Sequence, residues 1–153
     1  MYRRILLATD GSSVSHQALA QAVGLASALG SELRIVCVTD QYSIDPSWWV
    51  NAEAFEELVQ RMRSASNQVL SEACAEAQKS GVRADTQLLE LEERGQRISD
   101  RIANEAAAWP ADLIVLGTHG RRGMDRLVLG SVAEGVARRA SAPVMLVRAD
   151  SED

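Results

Sequence analysis

The chain alternates, from one end to the other, between short apolar runs of β type and stretches whose apolar residues recur every three or four positions. Arg4-Ile5-Leu6-Leu7-Ala8 reads as a compact strand. Val14, Ala18, Ala22, Leu25 and Leu29 then follow at spacings of four, four, three and four. That is one buried face of a helix, with Gly30 placed to end it in a left-handed cap. Leu33–Val38 is a second strand, and residues 39–50 form a polar loop holding Asp45-Pro46 and Trp48-Trp49. A long helix comes next, with Phe55, Leu58, Met62, Ala65, Val69, Ala73 and Ala77 on its apolar face and Gly81 as its stop. Val82, Ala84, Thr86 and Leu88 alternate as a third strand. Ile98, Ile102 and Ala106 mark a third helix that Trp109-Pro110 terminates. Leu113–Leu116 is continuously apolar, as a strand buried on both faces must be. Beyond a glycine-rich loop, Val132, Val136 and Ala140 mark a short helix, and Pro143 leads into a last strand, Val144–Val147.

The order βαβαβαβαβ predicts an α/β fold: one doubly wound parallel sheet of five strands, helices on both faces, right-handed crossovers. With 153 residues the chain fits one domain, 1–153, large enough to bury a core without a metal or disulfide staple. Periodicity does not give strand order. It does say where a ligand belongs, outside the carboxyl ends of the strands at a switch point.

Charge narrows the function. Sixteen basic against twenty-one acidic residues leave a formal −5, which argues against a nucleic-acid binder with a broad basic face. Arg3-Arg4 followed by Ile5–Ala8 starts like a signal peptide, but the apolar run stops at Thr9-Asp10, short of an h-region. No stretch approaches the length of a membrane span. Cys37 and Cys74 lack C-x-x-C spacing and fall in apolar patterns, so both are expected to be buried, reduced thiols. These features together predict a cytoplasmic protein.

Two strand ends carry chemistry. After the fourth strand stand Gly117-Thr118-His119-Gly120, then nine residues, then Gly130-Ser131 opening a helix. Glycines let backbone N–H groups approach an anion, and a helix N-terminus adds unpaired donors and a positive dipole end. Arg121, Arg122 and Arg126 against Asp125 make the loop positive in a negative protein. A tight turn with a helix cap and no ligand is the alternative. After the first strand, Asp10 of Thr9-Asp10-Gly11-Ser12 can accept hydrogen bonds from a ribose or an adenine amino group, or serve equally well as a helix cap.

Gly117-x2-Gly120-x9-Gly130-Ser131, with Ala8-Thr9-Asp10-Gly11-Ser12 before it and Ala142-Pro143-Val144 after it, resembles the universal stress protein family across Arg3 to Arg148. The resemblance implies sheet order 3-2-1-4-5, so that Asp10 and Gly117 face one crevice. Because every motif position is kept, it also implies the ATP-binding branch. Carried over residue by residue, Gly117, Gly120, Gly130 and Ser131 match phosphate and ribose contacts, and Val132 extends the phosphate cradle. Ala8, Thr9 and Asp10 match the adenosine side, Val38 a position whose backbone meets adenine, and Arg121 a position that is often basic. A homodimer through the last strand fits both the resemblance and the physics of an apolar edge strand.

Rival readings are weaker. The single lysine, Lys79, is not in a G-x-x-x-x-G-K-[ST] loop, and no G-x-G-x-x-G follows the first strand. His119 lacks a nucleophile and an orienting partner, Ser131 is not in a G-x-S-x-G elbow, and His16 reads as a surface residue. Trp48, Trp49 and Phe55 are expected to cap the core beneath their loop, with a lid or partner surface as the sharper reading. Glu90, Glu92 and Glu93 read as a solvated loop. The expected function is a nucleotide-dependent stress sensor or accessory factor that binds ATP, with magnesium carried by the phosphates and at most slow hydrolysis. The alternative is a dimeric interaction module whose glycine loop is structural. Gly130→Val is expected to separate them by abolishing binding while sparing the fold.

Overall fold

Strands whose side chains alternate between two helix-covered faces assemble the sheet. In the computed structural model, which describes residues 1–119 and 128–149, the strands are β1 (Arg4–Ala8), β2 (Glu32–Thr39), β3 (Ala84–Glu90), β4 (Leu113–Gly117) and β5 (Val144–Val147). All pair in parallel, in the order β3-β2-β1-β4-β5. Helices α1 (Ser13–Leu29) and α2 (Ala52–Lys79) cover one face, and α3 (Ile98–Ala108) and α4 (Ser131–Arg139) the other. Ile5, Leu7, Leu33, Ile35 and Val115 point towards α1 and α2, while Leu6, Val36, Ile114 and Leu116 point towards α3 and α4. Each fully buried aliphatic side chain contributes about 1.5–3 kcal/mol, so central strands β1 and β4 anchor both layers.

Caps set the helix boundaries as expected for α1. The Ser12 hydroxyl accepts from the Ser15 N–H at 3.3 Å, and Gly30, at φ +66°, closes the far end by donating to the Ala26 carbonyl. Asn51 caps α2 by accepting from the Glu53 and Ala54 N–H groups at 3.1 and 3.2 Å.

Several expectations need correction. The loop 39–50 contains two 3₁₀ turns, Gln41–Ser43 and Pro46–Val50, fixed by Asp40 and Asp45 side chains accepting from backbone N–H groups. The bond from Ser47 N–H to Asp45 also holds that exposed carboxyl below its ordinary range. On α2 the buried positions are Val59, Leu70, Ala73 and Ala77, and Ala65 is exposed. A straight 3.6-residue helix drifts across a curved sheet, so one spacing rule cannot hold over 28 residues. Strand β3 starts at Ala84 and runs through Glu90, so Glu90 is part of the sheet rather than a loop, with its carboxylate paired to Arg63. Cys37 is buried, but Cys74 is only half-buried. Trp48 is exposed, while Trp49, 38% exposed, meets the Phe55 ring edge-on at the start of α2, so the pair stands at the surface of its loop. His16 is exposed, as expected.

Polar groups inside the α3/α4 layer were not anticipated. Arg34, pointing from β2 to that side, gives Nε to Asp85 at 2.8 Å and Nη1 to Glu105 at 2.9 Å, and its guanidinium lies 4.7 Å over the Trp109 ring. Glu105, buried on α3, also meets Arg101 at 3.7 Å. Gly135 is the contact point between α3 and α4: a Cβ there would lie 2.3 Å from Ser99 Oγ, closer than any side chain is tolerated.

Candidate functional site

The sheet order makes the gap between β1 and β4 the point where successive connections diverge to opposite sides. Leu7 pairs with Val115 and Ala8 with Val36, so the carboxyl ends of β4, β1 and β2 lie side by side. Ala8, Val38 and Val132 pack against the same α3/α4 cluster. Residues expected from three distant parts of the chain are thus brought to one corner.

Each strand end is held by a defined local structure. After β1, the Thr9 N–H bonds the Val36 carbonyl at 2.9 Å, and the buried Thr9 hydroxyl donates to Ser15 Oγ at 3.1 Å. Asp10 Oδ1 accepts from the Ser12 N–H at 2.9 Å, shaping the turn into α1, and Gly11 supplies the positive φ of 77° which that turn requires. Ser12, rather than Asp10, is the helix cap.

After β4, the Thr118 N–H continues the ladder to Val147 at 2.8 Å, and the Gly130 N–H returns to the Thr118 carbonyl at 2.8 Å. That second bond ties the start of α4 to the end of β4. Gly130 caps α4 without a side-chain acceptor, so the first-turn N–H groups beginning at Ser131 have no side-chain cap. Ser131 itself is exposed and Val132 half-buried. The His119 ring bridges Thr118 Oγ1, at 3.1 Å from Nδ1, and the Val128 carbonyl. Gly120 and Arg121, the other two residues of the expected site, lie outside the described residues.

The glycines have a packing reason of their own. A Cβ on Gly117 would stand 2.7 Å from Val14 Cγ1 on the first turn of α1, and one on Gly130 would stand 2.9 Å from the Thr118 carbonyl oxygen. Gly130→Val therefore cannot spare the local fold, and that substitution does not separate a ligand role from a structural one. The same contacts give the corner its form. The N-termini of α1 and α4, on opposite faces of the sheet, flank the end of β4. Both dipoles favour negative charge there.

Among the described residues, no three His, Cys, Asp or Glu side chains gather into a metal cage. No helix among them is long and apolar enough to cross a membrane.

Comparison with known proteins agrees with this arrangement. The sequence model described as Universal stress protein family matches residues 1–148. A universal stress protein of Thermus aquaticus is 36% identical over 149 residues, covering 97% of this chain and all of the relative. A universal stress protein structure from Burkholderia pseudomallei superposes with a TM-score of 0.75 at 33% identity, covering 97% of both chains. An Archaeoglobus fulgidus universal stress protein solved in complex with dAMP superposes at 0.65 with 24% identity, covering 95% of this chain and 98% of the other.

Proposed function

The chain belongs to the universal stress protein family, and from that premise we propose that it binds ATP in the crevice between β1 and β4 and acts as a nucleotide-dependent accessory factor in the stress response. One observation carries the reading: two helix N-termini flank the end of β4, and the first-turn N–H groups of α4, opened by Gly130 and Ser131, have no side-chain cap. In this reading the phosphates lie at Ser131 and Val132 and beside Gly117. The adenosine lies towards Ala8, Thr9, Asp10 and Val38. Magnesium arrives on the phosphates, held by them and by water. The dAMP complex of the Archaeoglobus protein supports the choice of an adenine nucleotide. ATP serves here as a regulatory ligand, hydrolysed slowly if at all, since the sequence offers no P-loop lysine.

The interaction-module reading draws on a separate observation, that packing alone excludes side chains at Gly117 and Gly130. A thermal melt with Mg-ATP, AMP or GTP decides between the two. A ligand at a hundred times its Kd adds about 2.7 kcal/mol. At about 2–4 °C per kcal/mol, the midpoint rises by roughly 5–11 °C with ATP and little with GTP. No rise at millimolar ATP would leave the corner as architecture.

We further propose a homodimer through β5, whose four residues are all half-buried at the sheet edge. The open ladder of an apolar edge strand is a pairing surface for a second copy. The Pro143 and Val147 carbonyls accept from β4, so the backbone groups of Leu146 face the open edge. Leu146→Pro removes one outward donor and should leave a monomer by sedimentation; an unchanged dimer would place the interface elsewhere.

A further inference from the structure

Three consecutive large apolar residues, Trp48, Trp49 and Val50, are 53%, 38% and 91% exposed at the corner between β2 and α2. The corner is held firmly. Asp45 and Asn51 cap the turns on either side of it, the Tyr42 hydroxyl donates to the Glu92 carbonyl at 3.3 Å, and Trp49 meets Phe55 edge-on at 5.9 Å. These side chains are thus presented on a fixed platform. A rigid, exposed pair of indoles is the residue type that dominates binding energy at protein interfaces.

The first turns of α2, which follow the platform in the chain, carry three carboxylates. Glu53, Glu56 and Glu57 open α2 and line one shallow hollow together with Gln60 and Arg61. Glu56 is partly engaged, meeting Arg63 at 3.7 Å, whereas Glu53 and Glu57 have no ion-pair partner among the described residues. An internal precedent shows what the indoles accept: the Arg94 guanidinium lies 3.9 Å over the Trp49 ring. A planar cation stacks on the aromatic face while its charge is drawn to nearby carboxylates.

We infer that Trp48, Val50 and the acidic first turns of α2 form a docking surface for an arginine-rich segment of a partner protein, a guanidinium stacking on Trp48 as Arg94 stacks on Trp49. Arginine fits better than lysine because its flat, weakly hydrated head group keeps its hydrogen-bond donors free for Glu53 and Glu57 while its face covers the ring. The inference does not rest on nucleotide binding, so it stands or falls on its own test.

The test uses the full chain and a fluorescein-labelled nona-arginine peptide, read by anisotropy, with nona-lysine alongside. Nona-arginine should bind about fivefold more tightly than nona-lysine. Trp48→Ala should weaken nona-arginine binding about fivefold without lowering the melting point, since the ring is largely exposed. Glu53→Gln with Glu57→Gln should weaken it about tenfold at low salt. Equal affinity for the two peptides, or loss with the glutamine variants but none with Trp48→Ala, would reduce the effect to unspecific attraction and overturn the proposal. Absence of binding at about 100 μM peptide would do so too. Self-association or adsorption to zwitterionic vesicles, abolished by Trp48→Ala while peptide binding is weak, would assign the platform to a second copy or a lipid surface instead.

Discussion

Ser131→Asp will remove the ATP-dependent rise in melting temperature while leaving the unliganded protein as stable as before, or slightly more so. Ser131 is exposed and is the first residue of α4, so the change fills no occupied space. A carboxylate in the first helical turn gains about 0.3–1 kcal/mol from the helix dipole. The same carboxylate confronts a bound phosphate. Two like charges about 4 Å apart at a protein surface repel by about 4 kcal/mol, more than a hundredfold in Kd. A ligand used at a hundred times the wild-type Kd is then below the variant's, and the shift falls from roughly 5–11 °C to less than about 1 °C. Fold and ligand effects thus move in opposite directions, which no substitution at Gly117 or Gly130 can achieve. An unaltered ATP shift would mean that the phosphates lie away from α4.

Arg34→Met is expected to cost about 2–3 kcal/mol, lowering the melting point by roughly 4–12 °C. The guanidinium satisfies Asp85 and the buried Glu105 and covers Trp109. Removing it leaves Glu105, among the described residues, with the 3.7 Å contact to Arg101 as its remaining ion pair. Loss of one partner from a buried pair is damaging because the other charge stays desolvated. Replacing both partners with apolar groups is far less so. Arg34→Met combined with Glu105→Leu should therefore recover most of the lost stability, to within about 1–2 kcal/mol of the wild type. Additive losses in the double variant would show instead that the pair contributes net stability.

The layers of this fold were largely legible in the sequence because burial in them is a local pattern. Leu113–Leu116 reads as a doubly covered strand and is so, and the compact apolar strand Arg4–Ala8 proves equally buried at Ile5, Leu6 and Leu7. Gly30 read as a left-handed cap and has φ +66°. Where a pattern was weaker, the reading drifted. Ala65 keeps the apolar spacing of α2 yet is exposed, because packing decides which of two neighbouring stripes on a long helix is covered. Arg34 and Glu105 left a signal that went unused: each is a charged residue at an inward position of an otherwise apolar face. Gly135 left none, since a helix-interior glycine says nothing of the Ser99 it touches.

The sequence by itself determined the element order, the two faces of each strand, the caps of α1 and the residue types available to hold an anion. Those depend on neighbours a few positions apart, and side-chain periodicity encodes them. The tertiary structure alone decided that Arg34 meets Glu105, that Gly117 and Gly130 are required by Val14 and by the Thr118 carbonyl, and that Trp48 is left in solvent. Each of these depends on distance between segments far apart in the chain, and that distance is set only when the strands pair in register and the helices settle onto the sheet.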